Sequence, residues 1–183
     1  MQLLSQSHLM LLAFLALLFC QAALHKASDL RRFSGYLADY HPRLVTNSFR
    51  LAAILLALEA SGVAFSVIPA TSRYGQSLLA LLLAIYTLAL VIARRSGKSQ
   101  IVCGCGETPV RLSSTIILRN LGLLGLAAMM LITPQRPLSI TAFASAVAAG
   151  FMLWMVWMLI EQLLHNSDFK QRLTQSTSDQ EPL

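Results

Sequence analysis

Charge is what this chain lacks most. Eight Asp and Glu and 14 Lys and Arg make up 12% of its 183 residues, where soluble domains carry about a quarter. Hydrophobic residues supply 56% and the mean hydropathy is +0.63, which together exclude an ordinary soluble fold. Ten-residue stretches of alternating polarity are also missing, so a transmembrane β-barrel is not supported and the apolar runs read as helices that satisfy their own backbone. No connection on the predicted outer side is large enough for an independent catalytic domain, and no familiar metal-ligand spacing occurs.

What remains is a set of long apolar runs. Five candidate spans cover residues 3–24, 49–70, 75–93, 114–133 and 138–164, each near the roughly 20 residues that a bilayer crossing needs. The expected fold is an all-α, polytopic membrane bundle of about five helices. No Lys or Arg precedes the first run, so it reads as a retained span rather than a cleaved signal peptide. With the N-terminus outside, only Arg73 and Arg136 of the 14 basic residues fall on the outer face. The positive-inside rule therefore predicts an inner-membrane protein with a periplasmic N-terminus and a cytoplasmic C-terminus. The same asymmetry explains the pI near 9.7, and nucleic-acid binding is not inferred from it.

After the first span, Leu30, Phe33, Leu37 and Tyr40 fall on one helical face, with Arg31, Arg32 and Asp39 around the rest. This predicts an amphipathic helix capped by Ser28 and stopped by His41-Pro42. It lies either in the headgroup region or against the bundle as a connector. In the fifth span Ala142, Ala146 and Gly150 form a small-residue stripe suited to close helix packing, within the chain or in a homo-oligomer. The integral domain is expected over residues 1–165, and the polar stretch 166–183 is expected to be a disordered cytoplasmic tail.

Two residues are costly in such a bundle. Glu59 sits near the middle of the second span, where an ionised carboxylate costs about 2.5–3.5 kcal/mol by insertion scales unless it finds a partner or a proton. Arg119, next to Asn120, falls six residues into the fourth span. Both enter from the same side, at rises of about 13 and 9 Å, so a Glu59–Arg119 contact is expected. It serves either to fix helix register or to handle protons or face a cofactor.

The connection between the third and fourth spans holds Cys103-Gly104-Cys105-Gly106 among Arg94, Arg95, Lys98 and Arg111. Nearby positive charge favours the thiolate, the reactive form, and the intervening glycine eases the strain of so small a ring. Cys20, near the same face, is a candidate resolving thiol. A redox pair, a tight turn and a metal clasp all remain open; the last would have to borrow Cys20, His25, His41 or Glu107.

In this order the features resemble the family of the methylamine utilisation protein MauE, which is distantly akin to DoxX-type membrane proteins. The matching elements are Leu30-Arg31-Arg32-Phe33, Tyr40-His41-Pro42, Leu58-Glu59 with Gly62, Ile101-Val102-Cys103-Gly104-Cys105-Gly106, and Leu118-Arg119-Asn120-Leu121. The family pattern runs Cys-Gly-Cys-Phe-Gly, whereas Gly106 and Glu107 fill its last two places here. The resemblance implies a four-helix core over about 3–133, with the fifth span added. It also implies an accessory role in maturing a periplasmic, disulfide-rich methylamine dehydrogenase alongside a thioredoxin-like, membrane-anchored partner. Cys103 and Cys105 would be its redox pair, with Glu59, Arg119 and Asn120 as framework and no bound cofactor or metal. The charge count nonetheless places that pair in the cytoplasm, where thiols are normally reduced.

Overall fold

The computed structural model describes residues 2–40, 46–96, 100–101, 110–111, 114–133 and 139–178. Its helices are α1 (Gln2–Ser28), α2 (Leu30–Tyr40), α3 (Ser48–Val67), α4 (Ser72–Arg95), α5 (Ser114–Ile132) and α6 (Ile140–Ser178). Between α4 and α5 two short strands, β1 (Gln100–Ile101) and β2 (Val110–Arg111), pair antiparallel, Gln100 opposite Arg111 and Ile101 opposite Val110. The all-helical expectation therefore holds apart from this one ladder.

Four helices are long and apolar enough to cross a membrane: α1, α3, α4 and the first part of α6, Ile140–Leu163. The fourth candidate span is the shorter apolar helix Ile116–Ile132 within α5. Several such helices make this a multi-pass membrane protein. At 1.5 Å per residue the 19 residues of α5 still reach about 28 Å. Contacts at its two ends show that it runs the length of the bundle: Arg119 meets Glu161 of α6, and Met130 and Thr133 meet His8 of α1.

Helix α2 lies against α3. The turn that starts α2 is capped by Asp29, whose Oδ1 accepts from the Arg32 amide at 2.9 Å. Ser28, the expected cap, instead donates back to the His25 carbonyl at 2.8 Å within α1. An aspartate one residue from the new helix has the better register for its first orphan amides.

The core lies where α1, α4 and α5 meet. Phe14, Leu15 and Phe19 pack with Leu79, Leu82 and Leu83 and with Leu123, Ala127 and Met130. At the turn from α3 to α4, a Cβ on Gly75 would lie 2.2 Å from the Ser66 amide nitrogen, so only glycine lets the two backbones approach this closely.

Helix α6 is peripheral. Eleven per cent of its spanning stretch is buried, against 39% for α1 and for α4, and its large apolar side chains, among them Phe151, Met152 and Leu163, face outward. It docks on α1 through the small-residue stripe, which resolves that stripe as intrachain packing. A Cβ on Gly150 would fall 2.6 Å from the Met10 carbonyl oxygen and 2.7 Å from the Ala13 Cβ, and Ala146 is buried. Farther along, Trp154 donates to Gln21 Oε1 at 3.1 Å, so α6 runs parallel to α1. The helix then continues to Ser178.

Candidate functional site

Among the described residues, the ion pair buried most deeply lies between α1, α3 and α4. Glu59 shares the inward stripe of α3 with Ala52, Gly62 and Ser66, small residues that let α1 and α4 close over it. It is 0% exposed. Its Oε1 accepts from Lys26 Nζ, at the end of α1, and from Tyr86 Oη of α4 at 2.5 Å. The Lys26 ammonium, 3% exposed, also lies 4.8 Å from the Tyr86 ring centroid and 5.2 Å from that of Phe33 on α2. Two aromatic faces and a carboxylate thus replace the water that the cation gave up. The second carboxylate oxygen, Oε2, is buried and has no hydrogen-bond partner among the described residues.

Glu59 therefore does find a partner, but the expected contact with Arg119 is not the one formed. Arg119 bonds Glu161 of α6 at 2.5 Å, and the Trp157 indole donates to the same oxygen at 3.0 Å. Packing explains the exchange: α3 lies against α1, α2 and α4, whereas α5 lies against α4 and α1. The two members of this second pair are about a quarter exposed, 24% and 28%, so it is a tether between α5 and α6 rather than a sealed site. Asn120 is buried, and its amide donates to the Ile116 carbonyl of its own helix at 3.1 Å. It joins neither cluster.

At the opposite end of the bundle lies a neutral network absent from the sequence expectations. His8 Nδ1 sits 2.8 Å from Thr133 Oγ1 and 3.0 Å from the Met130 carbonyl. The Thr133 hydroxyl itself donates to that carbonyl, so Nδ1 is read as the protonated nitrogen. Nε2 then accepts from the Gln76 amide at 3.3 Å, which also donates to Ser72 Oγ at 2.8 Å. The signal was present as Ser5, His8 and Gln76, polar residues inside apolar runs, with Ser72 one helical turn before Gln76.

The cysteines are only partly described. Cys20 is a free thiol, exposed on α1. Cys103 and Cys105 lie outside the described residues, between two strands that are described. The ladder closes both ends of their loop at the finish of α4 and the start of α5, the same end of the bundle as Lys26. Among the described residues, no three His, Cys, Asp or Glu side chains converge on a candidate metal position.

Chemically, the Lys26–Glu59–Tyr86 cluster is electroneutral as an ammonium, a carboxylate and a phenol. It can hold a proton or a hydrogen-bond donor at the unfilled oxygen, in surroundings that exclude bulk water.

Comparison with known proteins covers most of the chain. Residues 4–133 match the model of the family described as methylamine utilisation protein MauE. The MauE protein of Paracoccus denitrificans is 31% identical over 149 residues, 80% of this chain and 79% of that protein. The Paracoccus versutus protein is 29% identical over 154 residues, 82% and 83% of the two chains. That of Methylophilus methylotrophus is 26% identical over 167 residues, 87% of each. No solved structure matches. The family match spans α1 to α5, takes in the charged cluster and the cysteine loop, and stops before the peripheral α6; the chain belongs to the MauE family.

Proposed function

We infer that this protein works in methylamine utilisation as a membrane accessory factor for the maturation of a periplasmic enzyme of the methylamine dehydrogenase type, acting through thiol–disulfide exchange at Cys103 and Cys105. The observation that carries the reading is the family match over residues 4–133, which includes the loop that the Gln100–Arg111 and Ile101–Val110 pairs tie off. Two cysteines one residue apart in the sequence can approach the separation that a disulfide tolerates. Closing the pair into a disulfide hands two electrons and two protons to a partner disulfide, and reduction reverses this.

The partner is a membrane-anchored, thioredoxin-like protein and the client is periplasmic. Cys20 is the candidate resolving thiol. The protein resides in the inner membrane with its N-terminus periplasmic, which sets the loop on the cytoplasmic face.

The test is labelling of Cys103 and Cys105 with a membrane-impermeant maleimide, in intact cells and inverted vesicles, with and without reductant. Reductant-dependent labelling in inverted vesicles alone is the expected result. In parallel, Cys103→Ser is expected to abolish client maturation, and unchanged maturation in that variant would sink the exchange mechanism.

A second reading is favoured by a different observation, the sealed Lys26–Glu59–Tyr86 cluster. A bundle locked this firmly suits a non-catalytic assembly subunit, with the segment 26–50 docking a partner. Full function of a cysteine-free variant would select it.

A further inference from the structure

The exposed side of α2 carries two cations that have no counter-ion among the described residues. Arg31 and Arg32 are both exposed, and the ion pairs Lys26–Glu59 and Arg119–Glu161 involve neither. Asp29, the carboxylate closest to them in sequence, accepts from the Arg32 backbone amide at the helix start. The Arg32 side chain is nonetheless held in place. Its Nε donates to Tyr36 Oη at 2.6 Å and its guanidinium carbon lies 5.9 Å from that ring's centroid, which occupies one of its five N–H donors.

Gly35 lies one turn beyond both arginines and between them around the helix axis, since residues three and four apart are neighbours on a helix surface. At Gly75 and Gly150 a Cβ would collide with a neighbouring helix, but at Gly35 nothing lies within 4 Å. A glycine inside a helix is destabilising relative to alanine, and no packing within the chain requires it here. The result is a notch of bare backbone flanked by two guanidinium groups.

The surroundings indicate what fills it. Helix α2 starts one residue after the spanning helix α1 ends and lies against α3, so its exposed side stands at the edge of the bilayer. In the turns nearest α2, α1 exposes Leu24 and α3 exposes Phe49, with Arg50 exposed beside it. A soluble anion would leave those apolar side chains in water, whereas a phospholipid covers them with its chains and brings its phosphate to the arginines. Guanidinium forks match phosphate oxygens in pairs. A net negative headgroup is preferred over a zwitterionic one, whose ammonium would be set among the same cations. We propose that Arg31, Arg32 and the notch at Gly35 form a binding site for the phosphate of an anionic phospholipid, whose acyl chains lie along Leu24 and Phe49.

The experiment uses the full chain in detergent, with bound lipid counted by native mass spectrometry during titration with phosphatidylglycerol or phosphatidylcholine. The wild type is expected to take up phosphatidylglycerol at about thirtyfold lower concentration, the attraction of two arginines to anionic headgroups. Arg31→Gln with Arg32→Gln removes this preference. Arg94→Gln with Arg95→Gln, an exposed basic pair at the same end of the bundle, keeps it. Gly35→Gln fills the notch with a good helix former. It leaves the melting temperature unchanged or higher yet weakens phosphatidylglycerol binding about fivefold, as the loss of one arginine contact would; a purely structural glycine would not weaken it. Equal affinity of the wild type for the two lipids, or equal losses in the two arginine double variants, would overturn the proposal. Binding of inorganic phosphate or of a short polyglutamate peptide that Arg31→Gln/Arg32→Gln abolishes, without any lipid preference in the wild type, would also overturn it and assign the face to a soluble anion or an acidic protein segment.

Discussion

At one end of the bundle His8, Ser72, Gln76 and Thr133 share neutral hydrogen bonds; about 15 Å along α4, Lys26, Glu59 and Tyr86 share a charge. Between them lie Leu79, Leu82 and Leu83, packed against Phe14, Leu15 and Leu123. The two clusters share α1 and α4, Glu59 of α3 completing the charged one and Thr133 at the end of α5 the neutral one, yet they tolerate loss differently. A neutral network that loses one member leaves amides and hydroxyls with other partners: Thr133 still has Met130, and Gln76 still has Ser72. The charged cluster has no such reserve, because removing either ion strands the other in apolar surroundings.

This contrast can be broken or sharpened by substitution. The largest effect is expected from Glu59→Leu or Lys26→Met alone, each destabilising by about 3–5 kcal/mol. The double variant Lys26→Met/Glu59→Met should recover most of that loss in detergent melting curves. If the single and double variants melt alike, the pair is not the feature that distinguishes this end of the bundle. A smaller loss, about 1.5–3 kcal/mol, is expected for Tyr86→Phe, which takes one donor from a charged acceptor; His8→Leu should cost about 1–2 kcal/mol, as befits neutral bonds. Reversal of that order, measured by the same melts, would mean that the neutral network and not the ion pair anchors the fold. The smallest change is expected from Trp157→Phe. It removes one hydrogen bond from the quarter-exposed Arg119–Glu161 pair and should shift stability by less than about 1 kcal/mol.

The bundle was legible because a shortage of charge over five apolar runs leaves the chain few other ways to satisfy its backbone. The amphipathic α2 was legible from its one-sided spacing. Glu59 announced that it needed a partner, but the sequence did not name the right one. Lys26 lies just beyond the first apolar run and reads as a boundary charge, whereas its four-carbon stem reaches back into the bundle. Arg119 looked nearer because rise along each helix was compared without knowledge of which helices touch. Its actual partner, Glu161, sits near the end of the fifth run on a helix that reaches α5 only past α1. The His8 network went unread for another reason: single His, Ser, Thr and Gln residues carry little weight in a hydropathy profile, and only the meeting of three helices turns them into a set. For the cysteine pair, the ladder that frames the loop is all the structure adds.

The parallel course of α1 and α6 has a practical corollary. Because the two helices point the same way, the start of the first and the finish of the last emerge from opposite ends of the bundle. The loop between β1 and β2 shares its end with the finish of α6. A reporter fused beyond Ser178 therefore reads out the compartment of Cys103 and Cys105 without altering either thiol.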